Sequence, residues 1–214
     1  CLERNPGVTG VIRGEGEETF HELMQYYIDG SGKLEDIRGI VYRENGQLVD
    51  NGWREVMDLN KVPFVYEDMN DFKNKIIYYE TSRGCPFSCS YCLSSVDKKV
   101  RLRDMSLVEK ELQFFIDHEV PQVKFVDRTF NCNKKHAMAI WRYIKAHDNG
   151  ITNFHFEIGA DLLDDEELAI LSDMRPGLVQ LEIGVQSTND ATIQEVSRTM
   201  RLDRLAKAVH TVNV

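Results

Sequence analysis

Three thiols, Cys85, Cys89 and Cys92, stand in C-x3-C-x2-C spacing within Arg83-Gly84-Cys85-Pro86-Phe87-Ser88-Cys89-Ser90-Tyr91-Cys92. A loop this short can wrap its thiolates around one metal centre, and soft sulfur suits iron. A cubane iron–sulfur cluster normally takes four thiolates, so three would leave one iron open to chelate a further ligand. A structural zinc site usually wants four protein ligands, and His21 and His118 lie far outside the loop. Cys132 offers a returning fourth thiol for zinc or for an electron-transfer cluster; otherwise Cys1 and Cys132 read as structural or incidental. Five cysteines is an odd number, and three within eight residues suit metal ligation in a reducing compartment better than a disulfide framework.

Other polar groups follow the apolar runs expected to be strands. Asp127 and Thr129, in Phe125-Val126-Asp127-Arg128-Thr129-Phe130, can accept hydrogen bonds from an ammonium. Glu157 closes another run, where a carboxylate would face a loop mouth. In Leu181-Glu182-Ile183-Gly184-Val185-Gln186-Ser187, the glycine permits close backbone approach to a ligand, and the Gln186 amide both donates and accepts. Arg198 carries a guanidinium fork suited to a carboxylate.

The cysteine loop, Arg83-Gly84 before it, Pro86-Phe87 and the aromatic Tyr91 together resemble the radical S-adenosylmethionine superfamily, and further matches extend across residues 76–200. The resemblance implies a [4Fe-4S] cluster on Cys85, Cys89 and Cys92, with S-adenosylmethionine on the open iron. It implies reductive cleavage to methionine and a 5′-deoxyadenosyl radical inside a partial (β/α)6 barrel, with an electron donor such as flavodoxin or ferredoxin. Tyr91 then lies beside the adenine. Asp127 and Thr129 fall where the family carries a Gly-Gly-Glu type motif for the methionyl amino group, although the glycines are absent here. In the coproporphyrinogen-type and cobalamin-type branches, a glutamate at the position of Glu157 contacts the cofactor. Gly184-Val185-Gln186-Ser187 resembles their signature, and Arg198, twelve residues after Gln186, matches an arginine directed at the methionyl carboxylate.

These residues need a scaffold that delivers them to one place. From Lys75 onward the pattern alternates strand and helix: strands over 76–80, 122–127, 154–158 and 178–185, and helices carrying Val108, Leu112, Phe115 and Ile116, then Ala137, Ile140, Trp141 and Ile144, then 165–173, then residues from about Asn189. Ser106 with Glu109 reads as a capping box, and Asp164 opens the third helix. Four such units imply a parallel sheet with its active face at the carboxyl ends of the strands. Before them, residues 8–12 read as a strand, Phe20, Leu23, Met24 and Tyr27 as a helical face ended by Gly30 and Gly32, and Asn45-Gly46 as a hairpin turn. Gly14-Glu15-Gly16-Glu17-Glu18-Thr19-Phe20 resembles the tail of a cobalamin-binding domain that precedes many such cores, although the chain shows no Asp-x-His-x-x-Gly motif. The expected organisation is therefore an α/β chain: residues 1–74 as a small α/β appendage with hairpin and linker, and residues 75–214 as a radical S-adenosylmethionine core.

The chain has 214 residues, 42% of them apolar, enough for a real core. A formal charge of −9 argues against binding nucleic acid or anionic membrane through bulk charge. No apolar run reaches the length of a bilayer span and no basic-then-apolar leader opens the chain, so the expected compartment is the cytoplasm. Both ends read as boundaries of a fragment, with four of roughly six strand–helix units present and cobalamin a cofactor of the longer protein. The rival readings are a methylthiotransferase, which would add a second cluster region and a nucleic-acid-binding tail, and a non-catalytic iron–sulfur carrier or zinc-stabilised binding domain.

Overall fold

The computed structural model describes residues 1–73 and 75–212; Asn74, at the expected linker end, and Asn213 and Val214, in the expected last helix, lie outside the described residues. The chain divides into two compact units, Cys1–Val62 and Pro63–Val214.

In the first unit, β1 (Gly10–Ile12), β2 (Ile40–Glu44) and β3 (Gln47–Asp50) form an antiparallel sheet in that order, and α1 (Glu17–Met24) follows β1. The Asn45-Gly46 turn joins β2 to β3 with both residues left-handed, as a tight hairpin demands. Past Met24 the helix continues as one π-helical stretch, Gln25–Asp29. The wider turn shifts the helical phase, so Tyr26 packs on the small core of Ile37, Ile40 and Tyr42 while Tyr27, expected inside, is exposed. Phe20 is exposed as well.

The second unit contains β4 (Ile77–Tyr79), β5 (Ser82–Arg83), β6 (Arg101–Leu102), α2 (Met105–Asp117), β7 (Gln122–Phe125), α3 (Lys134–Ala146), β8 (Asn153–Ile158), α4 (Asp165–Ser172), β9 (Val179–Ile183), α5 (Asp190–Glu195) and α6 (Leu202–Val212). Strands β4, β7, β8 and β9 make one all-parallel sheet in that order, the partial-barrel arrangement expected. Alternation along the strands sends Ile77, Tyr79, Val123, Phe125, Phe154, Phe156 and Ile158 into the core shared with Val108, Leu112, Phe115, Ile140, Trp141 and Ile144. The opposite face is polar, carrying Gln122, Lys124, Asn153, His155, Glu157, Gln180 and Glu182.

Phe64, Tyr66, Met69 and Phe72 pack against that same core, and the Tyr66 hydroxyl donates to Tyr78 O at 2.5 Å. These aromatic contacts are why the division falls at 62/63 rather than 74/75.

Helix α2 is capped differently from expectation. Asp104, not Ser106, is the N-cap, accepting from Ser106 N at 2.8 Å and Ser106 Oγ at 2.7 Å. Its carboxylate outcompetes the serine for the free amides of the first turn. At α4 the Asp164–Glu167 capping box is complete. The helical sequence expected after Asn189 splits into α5 and α6. Ser197 adopts φ +51°, and Arg198 N donates back to Ile193 O at 3.0 Å, a Schellman closure that ends α5 and aims the chain back toward the sheet. Among the described residues no helix is long and apolar enough to cross a membrane.

Candidate functional site

The cysteine loop leaves the carboxyl end of β4 and is pinned at its root. Strands β5 and β6 pair antiparallel, Arg103 N donates to Thr81 O at 2.8 Å, and Cys85 N donates to Asp97 O at 2.9 Å. Gly84 sits at φ +101° inside this collar, where an added Cβ would collide with Lys99 O. Lys98 Nζ donates to Phe87 O (2.5 Å) and Ser88 Oγ (2.8 Å), and Ser90 N donates to Val196 O (2.9 Å), so the loop tip is tied to the segment after α5.

Cys85, Cys89 and Cys92 line one pocket at the carboxyl ends of the parallel strands, together with Tyr91, Arg128, Thr129, Glu157, Asp161, Glu182, Gly184, Gln186 and Arg198. Cys85 and Cys89 are buried, at 8% and 9% exposure, and Tyr91 is 53% exposed. Cys85 Sγ lies 3.8 Å from Thr129 Oγ1. Hydrogen bonds from the side chain and backbone of Ser94, and then the Arg128 charge, hold the Cys92 thiol below its ordinary range. That favours the thiolate, the form that binds iron.

Tyr91, Thr129, Glu157, Gln186 and Arg198, all singled out from the sequence, are thus brought together with the thiols. Arg198 Nη1 donates to Tyr91 Oη at 3.2 Å and Nη2 to Gly184 O at 2.6 Å, so the guanidinium spans the aromatic ring and the end of β9. Gln186, at φ +58°, folds its amide against Gly184, where any Cβ would meet Gln186 Nε2 at 2.6 Å. Glu157 is a register neighbour of Glu182, and Lys124 stands between them, 3.5 Å from Glu157 Oε1 and 3.0 Å from Glu182 Oε2. That bond to Glu182 raises the Lys124 ammonium above its ordinary pKa and lowers the Glu182 carboxyl below its own. His155 Nε2 lies 3.2 Å from Glu182 Oε2.

Asp127 departs from expectation. It is fully buried and does not line the pocket; its carboxylate accepts from Thr81 N (3.1 Å), Thr81 Oγ1 (2.8 Å) and Ser82 Oγ (2.5 Å). It continues the inward parity of Val123 and Phe125, so it braces the root of the cysteine loop rather than meeting a ligand. Cys132 also lies outside the pocket lining, and burial and then the nearby Cys85 push its thiol up to about 11. Arg128, Asp161 and Glu182 line the pocket without having been singled out from the sequence. For Glu182 the signal was available, because it shares the polar parity of Gln180 and stands beside Glu157 in the parallel register.

The donor set fits a multi-iron cluster. Three cysteine thiols line the wall of one pocket, and a cubane takes one thiolate per iron. The same wall offers carboxylates and guanidinium groups for a ligand carrying both signs of charge.

Residues 79–213 match the Radical SAM superfamily. The chain is 34% identical over 150 residues to the uncharacterised methyltransferase PH0819 of Pyrococcus horikoshii, covering 65% of this chain and 32% of that protein. It is 24% identical over 210 residues to the anaerobic magnesium-protoporphyrin IX monomethyl ester cyclase of Synechocystis, covering 92% and 41%. The structure of the cobalamin-dependent S-adenosylmethionine radical enzyme OxsB, solved with aqua-cobalamin and S-adenosylmethionine bound, superposes with a TM-score of 0.77 at 21% identity, over 99% of this chain and 32% of that one. The chain thus spans between about a third and two-fifths of the curated relatives described here. A family match across most of the chain, resting on a parallel sheet whose strand ends gather three cysteines in one pocket, means that the chain belongs to the radical SAM superfamily of enzymes.

Proposed function

We propose that this chain is the core of an enzyme that reductively cleaves S-adenosylmethionine at a [4Fe-4S] cluster held by Cys85, Cys89 and Cys92. The observation that carries the reading is the convergence of the three thiols with Tyr91, Glu157, Gln186 and Arg198 on one pocket at the strand ends. Bound there, the cluster would supply the electron that breaks the sulfonium carbon–sulfur bond, giving methionine and a 5′-deoxyadenosyl radical. The protein's own part is to hold and orient. The collar of β5 and β6 fixes the loop, Thr129 lies against Cys85, and Arg198 offers its fork to a carboxylate while holding Tyr91 for the adenine. Glu157, 3.5 Å from the Lys124 ammonium, faces the cationic parts of the ligand.

For the longer protein we propose a place in the cobalamin-linked branch. Support comes from the fold shared with OxsB and from the Gly14–Phe20 segment, read as the end of a cobalamin-binding-like domain that runs into the hairpin and linker. A cytoplasmic setting and a flavodoxin or ferredoxin donor complete the proposal, since a cluster with one open iron needs a reducing compartment and an electron source.

Anaerobic reconstitution with iron and sulfide is expected to load about four irons per chain, and dithionite is then expected to release 5′-deoxyadenosine from S-adenosylmethionine. Replacing Cys85, Cys89 and Cys92 with alanine should abolish both. A normal cluster in that triple variant, or tightly bound zinc in the unaltered protein, would sink the reading.

A further inference from the structure

Asp161 occupies an unusual electrostatic position in the pocket. It is only 7% exposed, yet it forms part of the lining. Its turn is rigid: after β8, the side chain of Asn131 clasps Gly159 from both sides, Nδ2 donating to Gly159 O and Oδ1 accepting from Gly159 N, each at 2.9 Å. Asp161 Oδ2 accepts from the backbone N of Arg201, just before α6, at 3.1 Å, which anchors that oxygen. Among the described residues no Lys, Arg or His side chain pairs with Asp161, and Oδ1 has no hydrogen-bond partner. Oδ1 is not among the side-chain atoms sealed from solvent without a partner, so it stays open to the pocket, where a donor from a bound ligand can reach it.

We propose that Asp161 is a further ligand-binding residue of this pocket, whose free Oδ1 accepts a hydrogen bond from a hydroxyl, amine or ammonium donor of bound S-adenosylmethionine. The proposal rests on the cofactor reading above and adds a contact to it. The shared chemistry is an N–H or O–H donor meeting an anchored carboxylate, and the sources on the ligand are the nucleoside donors (the ribose hydroxyls and the adenine amine) and the methionyl ammonium. Asp161→Asn keeps the shape and an oxygen for Arg201 N, but turns an amide donor toward the ligand's donor.

Calorimetry on anaerobically reconstituted protein tests this with two probes: S-adenosylmethionine, which carries all these donors, and 5′-methylthioadenosine, which keeps the ribose hydroxyls and the adenine amine but has no ammonium. Asp161→Asn is expected to weaken S-adenosylmethionine by about 10- to 100-fold, the loss of one charge-assisted hydrogen bond, with iron content and melting temperature unchanged. Parallel weakening of 5′-methylthioadenosine assigns the contact to the nucleoside part, and loss confined to S-adenosylmethionine assigns it to the ammonium; either supports the proposal. Equal affinities in wild type and variant for both probes overturn it and leave Asp161 as a tether for α6. If Asp161→Asn fails to fold, Asp161→Ser, which keeps an acceptor for Arg201 N but no carboxylate, takes its place. Failure of both to fold also overturns the proposal, because the carboxylate is then spent on the backbone. A wild-type protein that binds neither probe refutes the cofactor reading itself, an outcome distinct from equal binding by wild type and variant.

Discussion

Asp127 is fully shielded from solvent, and burial pushes its carboxyl up to about 6 against three hydrogen bonds that pull it down. Thr81 spends its one hydroxyl proton on Asp127, so His136 Nε2, 3.0 Å from Thr81 Oγ1, must carry the proton of that contact; burial lowers the His136 pKa and keeps the ring neutral. Because the folded Asp127 holds its proton to higher pH than the unfolded chain does, its titration favours the fold below the ordinary carboxylate range. That contribution declines as pH rises from about 4 to about 6. The stability of the wild type minus that of Asp127→Asn should therefore fall across this window, by up to about 3 kcal/mol, and then level off. Denaturant titrations of both proteins at pH 4, 5, 6 and 7 measure the difference; a difference that rises with pH would contradict the burial account. The same residue marks a limit of legibility. Tyr91, Glu157, Gln186 and Arg198 were singled out from motifs in the cysteine loop, at the ends of β8 and β9 and just past α5, and the structure sets all four on the pocket wall. Asp127 sits at a strand end too, but strand parity turns it to the core side, whereas Glu157 shares the polar parity of Asn153 and His155. Proximity in sequence picks out the strand end, and only parity picks out the face.

At the scale of elements, the four parallel strands and the helices between them were legible because buried strands and amphipathic helices carry strong periodic signals. Their ends were less so. The apolar run of residues 178–185 continues past Ile183, the last paired residue of β9, since loop residues at the rim also pack. The collar escaped notice: β5 and β6 are two residues each, too short for periodicity to register, although Val100-Arg101-Leu102-Arg103 does alternate. Gly84 is where that collar is most exacting. An alanine methyl there would stand 2.9 Å from Lys99 C and 3.3 Å from Val100 Cα, on a backbone already at φ +101°. Gly84→Ala is expected to cost about 1–3 kcal/mol and to lower the iron loaded per chain, because the collar must open next to Cys85. Gly30→Ala, at φ +66° with nothing within 4 Å of the added methyl, is the matched control, expected to cost about 1 kcal/mol and leave iron loading unchanged. Equal iron content in the two variants would show that the collar does not govern the cluster loop.

For the molecule as a whole, the two units differ in how well their cores can hold them. Pro63–Val214 encloses a continuous cluster around Phe115, Phe125, Trp141, Phe154 and Phe156, all fully shielded from water. Cys1–Val62 has only a small cluster of Ile37, Ile40 and Tyr42, with Leu23, Tyr26, Leu34 and Val49 packed partly against them and Leu2, Met57 and Leu59 buried outside it. Each large apolar side chain contributes about 1.5–3 kcal/mol when fully buried, while ordering the backbone costs about 1–2 kcal/mol per residue. A unit of this size with so few buried anchors sits close to the balance point. Amide exchange should therefore reveal two levels of opening free energy. Val41, Tyr42 and Arg43, in the central strand of the antiparallel sheet, are expected to exchange through a lower-energy opening than Val123, Phe154 and Phe156 in the parallel one. Hydrogen exchange followed by mass spectrometry, in the regime where reclosing outpaces chemistry, gives both free energies in one experiment. A common opening energy for the two sets would mean that the chain unfolds as a single cooperative unit, and that the size of each unit's own core does not set the stability of its sheet.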